Sequence, residues 1–318
     1  MPRARIDALI QAVYDDPIAD APREVLTDAL LESGDPRGEF MLLQLRAERE
    51  ALTIEELRRQ QQLASTHCDE WLGPLLGWVS RLCQFRRGFP SLCHLALKDR
   101  SFPDLAAWAT VEHARGLFGP DALRSFKAVQ SMHTLSLDCL LPSDRSCPHL
   151  VDIAAFGAYE RGAFERMGDL ASFPALKKLS IKHGGRDVED RHPDVADIMG
   201  FFQRVERLEA FRTALALARS EYVFEEPVVT LRRDRGAVRL HIELGGAGEL
   251  TFAEQLEALR PFVGYAEHTT LRVWGYESNE GLAGLKARAP EHRLRALGLR
   301  GLEVEYVIRE HHQNWEPL

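Results

Sequence analysis

Phe173-Pro174-Ala175-Leu176-Lys177-Lys178-Leu179-Ser180-Ile181-Lys182 is the stretch that decides the fold. Leu176, Leu179 and Ile181 follow an L-x-x-L-x-L spacing, and the last two stand two residues apart. That is the alternation of a short strand with one face in a core. The spacing returns as Leu92, Leu95 and Leu97, as Met132, Leu135 and Leu137, as Leu294, Leu297 and Leu299, and in weaker form as Val205, Leu208 and Ala210. Helical or irregular segments separate these copies. The intervals are long: 40 residues from Leu92 to Met132 and 44 from Met132 to Leu176. The region 139–172, with Pro142, Pro148, Gly157, Gly162 and Gly168, therefore reads as an insertion.

Upstream, the pattern is helical. Ile6, Leu9, Ile10 and Val13 form one apolar stripe, ended by Asp15-Asp16-Pro17. Asp20 is placed to cap a second helix with Val25, Leu26, Ala29 and Leu30 on its inner face. Gly34-Asp35-Pro36-Arg37-Gly38-Glu39-Phe40 stops that helix and starts a third, with Gly34 past the end, Asp35 as cap and Pro36 in the first position. Phe40, Leu43 and Ala47 are the third helix's anchors. Thr53 and Glu56 make a capping box for a fourth, half-exposed helix. A short apolar helix is expected over Pro74 to Leu82.

Downstream, Val228 to Leu231 and Val238 to Leu244 alternate as two strands, with Asp234-Arg235-Gly236 as the turn between them. A helix from about Phe252 to Leu259, a strand from Thr270 to Trp274, a helix from Gly281 to Arg288 and a strand at Leu294 complete a small α/β cap.

Two resemblances follow from these residues. One short strand per repeat is how leucine-rich repeats are written, although those run about 20–29 residues. The N-terminal stretch resembles the bacterial repeat-companion domain, a module often found before such repeats. The matching residues are Asp16-Pro17, Asp20, Pro22-Arg23, Asp28, Leu31-Glu32, Gly34 to Phe40 and Leu43-Gln44, with Arg87-Gly88-Phe89 similar to the start of the repeat region. Leu26-Thr27-Asp28-Ala29-Leu30 departs from the family's Tyr-Ala-Asp-Trp-Leu. Arg100, Leu140, Gly184 and Leu302 stand where leucine-rich repeats place Asn or Cys, which argues against a buried side-chain ladder. The resemblance implies an architecture and a role in binding. The expected fold is α/β: a helical domain over 1–90, an irregular leucine-rich-repeat-like solenoid over 91–220 and an α/β cap over 221–318.

Composition narrows the function classes. The chain has 318 residues, is 45% hydrophobic and 28% charged, and carries a formal net charge of −8. An acidic average lacks the basic footprint that non-specific nucleic-acid binding needs, so no nucleic-acid partner is expected. Cys68, Cys83, Cys93, Cys139 and Cys147 are odd in number and lack CxxC, which favours reduced thiols. No signal peptide and no apolar run near ~20 residues is found, so the expectation is a cytoplasmic protein without a membrane partner.

No constellation of chemistry stands out. His67, Cys68, Cys139, Cys147 and His149 lack the close pair that zinc requires. His183, Asp187, Glu189, Asp190, His192 and Asp194 have no regular ligand spacing, and Gly245-Gly246-Ala247-Gly248 fits no phosphate motif. Arg86-Arg87 and Arg232-Arg233 with Arg235 are local basic clusters. No cofactor, metal or catalytic residue is assigned. Strand geometry supplies the candidate site: residues beside the inward pair point outward, naming Ala96, Lys98, Ser136, Asp138, Ser180, Lys182, Gly298 and Arg300 as partner-binding positions. The expected function is a non-enzymatic protein-interaction module. An immunity or antitoxin-type inhibitor of a bacterial effector, and an enzyme with a cryptic site, are the alternatives.

Overall fold

The structure is a computed structural model that describes residues 3–80, 83–95, 102–142, 146–157, 162–183, 195–214, 227–245, 255–257, 259–276 and 281–309. The chain is mixed α/β and forms two compact units, Met1–Leu135 with Cys147–Leu150, and Ser136–Ser146 with Val151–Leu318. In each unit the strands follow chain order in an open sheet. Among the described residues no helix is long and apolar enough to cross a membrane.

The first unit opens with α1 (Arg3–Asp15), α2 (Ala21–Glu32), α3 (Pro36–Ala47) and α4 (Ile54–Leu72), the four helices expected. Asp35 caps α3 by accepting the Arg37 N–H at 2.8 Å, and Thr53 and Glu56 form the capping box of α4. Gly38 is fixed by packing: a Cβ there would come 2.7 Å from the Leu31 backbone nitrogen, so only glycine lets α3 cross α2 this closely. Three local expectations fail. Asp20 makes no side-chain cap, because its carboxylate faces Arg87 at 3.2 Å. Val25 is 52% exposed, leaving Leu26, Ala29 and Leu30 inside. Ala47 is exposed, and Met41 and Leu45 join Phe40 and Leu43 in the core. The helix expected after Pro74 shrinks to a 3₁₀ turn at Gly73–Leu75, which Gly77 ends at φ +91°, and Arg81 and Leu82 lie outside the described residues.

β1 (Gln84–Arg86) and β2 (Phe89–His94) then form a hairpin. Arg87 and Gly88 both have positive φ, +50° and +83°, as a two-residue type I′ turn requires. Helix α3 holds this turn. Arg37 donates to the Gly88 carbonyl at 3.1 Å, and its guanidinium lies over the Phe89 ring at 4.6 Å. Gln44 accepts the Gly88 N–H at 2.7 Å and donates to the Phe85 carbonyl at 2.9 Å. The punctuated helix start and the Arg-Gly-Phe turn are thus parts of one contact.

β3 (His113–Phe118) and β4 (Ser131–Ser136) add to β2 in parallel, with Cys93, Ala114 and Met132 in register and buried. Here the leucine spacing misleads. Leu92 and Leu95 are only half-buried, and Cys93 is the inward residue; Leu97 lies outside the described residues. β3 buries Ala114 and Phe118 with a register shift between them, and Ala114 is no leucine anchor, so the strand escaped the pattern. The crossovers are short 3₁₀ turns at Ala106–Thr110 and Pro120–Arg124, over a cluster of Phe102, Trp108, Phe118 and Phe126.

The second unit begins with β5 (Asp152–Gly157), α5 (Ala163–Met167), β6 (Lys178–His183), α6 (Val195–Arg204) and β7 (Ala210–Ala214). Its three strands are parallel, with Ile153, Leu179 and Phe211 in register and buried. Region 139–172 is therefore not a bare insertion: it holds β5, built on Leu150, Ile153 and Ala155. The weak copy at Val205 is displaced too, since the inward residues are Leu208, Phe211 and Thr213. β8 (Val228–Asp234) and β9 (Ala237–Gly245) form the expected hairpin, followed by β10 (His268–Tyr276), α7 (Gly281–Arg288), α8 (Glu291–Arg295) and β11 (Leu302–Arg309). β10 runs parallel to both β9 and β11. The expected strand at Leu294 is instead α8, opened by Pro290, and the strand starts at Leu302. Half of the helix expected over Phe252–Leu259 lies outside the described residues, and 255–257 are helical.

Arginine side chains bond the backbone of the crossovers in the second unit. Arg204 donates to the carbonyls of Phe164 and Gly168 at 2.6 and 3.2 Å. Arg207 donates to Asp169, Leu170 and Phe173, and Arg233 to Phe202 and Leu208. These bonds satisfy carbonyls that the irregular crossovers would otherwise leave without partners.

Candidate functional site

The sheet faces opposite the buried rows carry the polar side chains. In the second unit, one row across the strands is Asp152, Lys178, Ala210, Arg232, Arg239 and His268. Charges on this face are largely paired. Glu243 lies 3.6 Å from both Arg212 and His241, and Arg272 pairs with Glu305 at 2.9 Å.

Asp152 stands apart from these pairs. Its Oδ1 is buried and has no hydrogen-bond partner among the described residues. Burial pushes its carboxyl up to about 6, against the pull of Lys178. The folded state therefore holds a proton that the unfolded chain releases near pH 4, and stability falls as pH rises from about 4 to 6. Asp152→Asn should stabilise the protein by about 1 kcal/mol at pH 7, after allowance for solvent screening, and leave it unchanged at pH 4. Denaturant melts at the two pH values measure this; equal effects at both would rule out the buried ionisation.

In the first unit, Leu92, His113 and Ser131 share one row of the outward face, and His94, Arg115 and His133 the next. The His113 Nδ1 and Ser131 Oγ are 2.8 Å apart. Burial lowers the pKa of both His113 and His133, and Arg115 lowers both further. Glu112 sits beneath, 2% exposed, bonded to Arg86 and Arg87 at 2.7 Å each. Among the described residues, no group of three His, Cys, Asp or Glu side chains is placed to hold a metal ion.

The residues named from strand spacing do not form one surface. Ala96 and Lys98 lie outside the described residues. Ser136 ends β4 and Asp138 sits in the 3₁₀ turn after it, where the Ser136 hydroxyl donates to the Asp138 carboxylate at 3.4 Å. Ser180 is 0% exposed and cannot touch a partner, because its small side chain sits low in the row that Arg212 occupies. Lys182 is exposed as expected, beside Phe156 in register. Gly298 and Arg300 are exposed but belong to the turn before β11, off the strand face. Sequence reasoning missed His94, His113, Arg115, Ser131 and His133. Alternation around Ala114 and Met132 was the available signal, hidden because Ala114 does not look like a repeat anchor. Compared with known proteins, the chain matches no family model, no curated protein and no solved structure.

Proposed function

We propose that this chain is a non-enzymatic protein-interaction module, a repeat-companion-like helical domain leading into a degenerate leucine-rich-repeat-like solenoid, active in the cytoplasm. One observation carries the reading: in both units, parallel strands in chain order turn their apolar residues into the core and present a second face of charged and imidazole side chains. Register steps such as Cys93 to Ala114 and Ile153 to Leu179 lie near the 20–29 residues of such repeats. A rigid sheet face of this kind holds side chains at fixed separations and so can recognise another protein without reorganising.

The test is affinity capture from native lysate by the wild-type chain and by a Lys178→Glu, Lys182→Glu, Arg232→Glu variant. A stoichiometric partner retained by the wild type and lost by the variant supports the reading. An unchanged set of captured proteins overturns it.

A further inference from the structure

Arg115, His94, His113, His133 and Ser131 have no role in the core, since all stand opposite the buried line of Cys93, Ala114 and Met132. Neighbouring strands are about 4.8 Å apart, and alternate residues of one strand about 6.7 Å apart. The five side chains therefore rise from a patch of roughly 10 by 7 Å, within reach of one small ligand. Arg115 is exposed, and no acidic side chain pairs with it among the described residues. Glu112, adjacent to His113 in the chain, has its two oxygens taken by Arg86 and Arg87. Arg115 adds to burial in lowering the pKa of both imidazoles, while Glu112 pulls that of His113 the other way.

We propose that this face of β2, β3 and β4 binds a phosphate group, with Arg115 as its charged fork, His94, His113 and His133 as surrounding donors, and Ser131 as the residue that orients His113. The donor set favours phosphate over carboxylate. A guanidinium and three imidazoles offer more N–H groups than two carboxylate oxygens can use, whereas a phosphate monoester presents three oxygens. Ser131 orients His113: when its hydroxyl donates to Nδ1, the remaining ring proton sits on Nε2 and can donate to the ligand. The inference rests on the interaction reading in that it names the chemistry of one part of the binding face.

The probe is inorganic phosphate, followed through the imidazole C2–H signals of the full chain by NMR in chloride, acetate and phosphate at constant ionic strength. Phosphate should raise the apparent pKa of His113 and His133 by about half a unit or more, and acetate should not. Arg115→Gln, at an exposed position that leaves the fold intact, should weaken phosphate binding at least ~10-fold, and Ser131→Ala should weaken it less. A phosphoserine peptide that binds tighter than inorganic phosphate would assign the group to a protein partner; equal affinity would assign it to a free phosphate compound. No shift in phosphate, an equal shift in acetate, or unchanged binding by Arg115→Gln overturns the site. A chain indifferent to phosphate that still loses its partner on charge reversal loses this inference and keeps the interaction reading. A chain that binds phosphate but captures the same proteins after reversal does the opposite.

Discussion

Gly88→Ala is expected to destabilise the first unit by about 3 kcal/mol and lower its melting temperature by on the order of 10 °C. Two costs combine. At φ +83° an L-residue carries the left-handed penalty of about 1 kcal/mol. The new Cβ would also fall 2.1 Å from Met41 Cγ and 2.8 Å from Met41 Sδ, inside a core where Met41 is fully buried. Relieving that overlap must move either the Met41 side chain or the turn, and the turn is pinned by Arg37 and Gln44. Met41→Ala destabilises on its own by about 2–4 kcal/mol, but in the double variant the steric part of the Gly88→Ala cost should vanish. A double-mutant cycle by urea denaturation reads this directly. Additive effects, or a Gly88→Ala cost below about 0.5 kcal/mol, would show that the turn does not pack on Met41 as described.

The second large effect concerns Glu112. It is almost fully buried, accepts from Arg86 on one oxygen and Arg87 on the other, and stands 3.5 Å from the Ser91 hydroxyl. Burial raises its pKa, but the two guanidinium bonds outweigh it and hold the carboxyl below its ordinary value. Arg86 is also bound to Glu48, and Arg87 to the Ile18 carbonyl and Asp20, so Glu112 ties β1, its turn and the start of α2 to β3. Glu112→Ala leaves two cations facing each other without their shared anion and should cost about 3–5 kcal/mol. The pH dependence has a definite sign. A depressed carboxylate contributes stability that is full above the unfolded value of about 4.3 and is lost as pH falls through the folded value. The wild type should therefore lose stability more steeply than Glu112→Gln below about pH 4. Melts from pH 7 to pH 3 compare the two. Parallel curves would remove Glu112 from the acid sensitivity of this unit.

Legibility followed the range of the interactions. The four N-terminal helices were readable because their determinants are local: Asp35 bonds two residues away, and the Thr53–Glu56 box spans three. The β8–β9 hairpin was readable for the same reason, its turn set by Arg235 and Gly236 at φ +51° and +89°. β6 was readable because Leu176, Leu179 and Ile181 are large and evenly placed. β3 was not, because Ala114 fills an inward position with a single methyl; β5 has Leu150 and Ile153 but ends its inward line on Ala155, and so lacks the third large anchor of the spacing. Leaving β3 and β5 uncounted made the intervals between strands look longer than they are. Leu294, Leu297 and Leu299 misled in the opposite sense: leucine spacing is compatible with a helix, and the preceding Pro290 settled α8.

By itself the sequence determined the four N-terminal helices, the β8–β9 turn, the apolar lines of β4 and β6 and the acidic balance, all of which depend on residues within a few positions of one another or on composition. Only the tertiary structure decided which polar residues share a surface. His94, Arg115 and His133 are neighbours because parallel strands place residues about twenty positions apart side by side, at a register that the crossovers and not the strands impose. The same holds for Arg207, whose bonds reach carbonyls 34 to 38 residues away. Such contacts form only once the core has fixed the backbone, and it is the packing of Cys93, Ala114 and Met132 that turns Arg115 and its histidines outward.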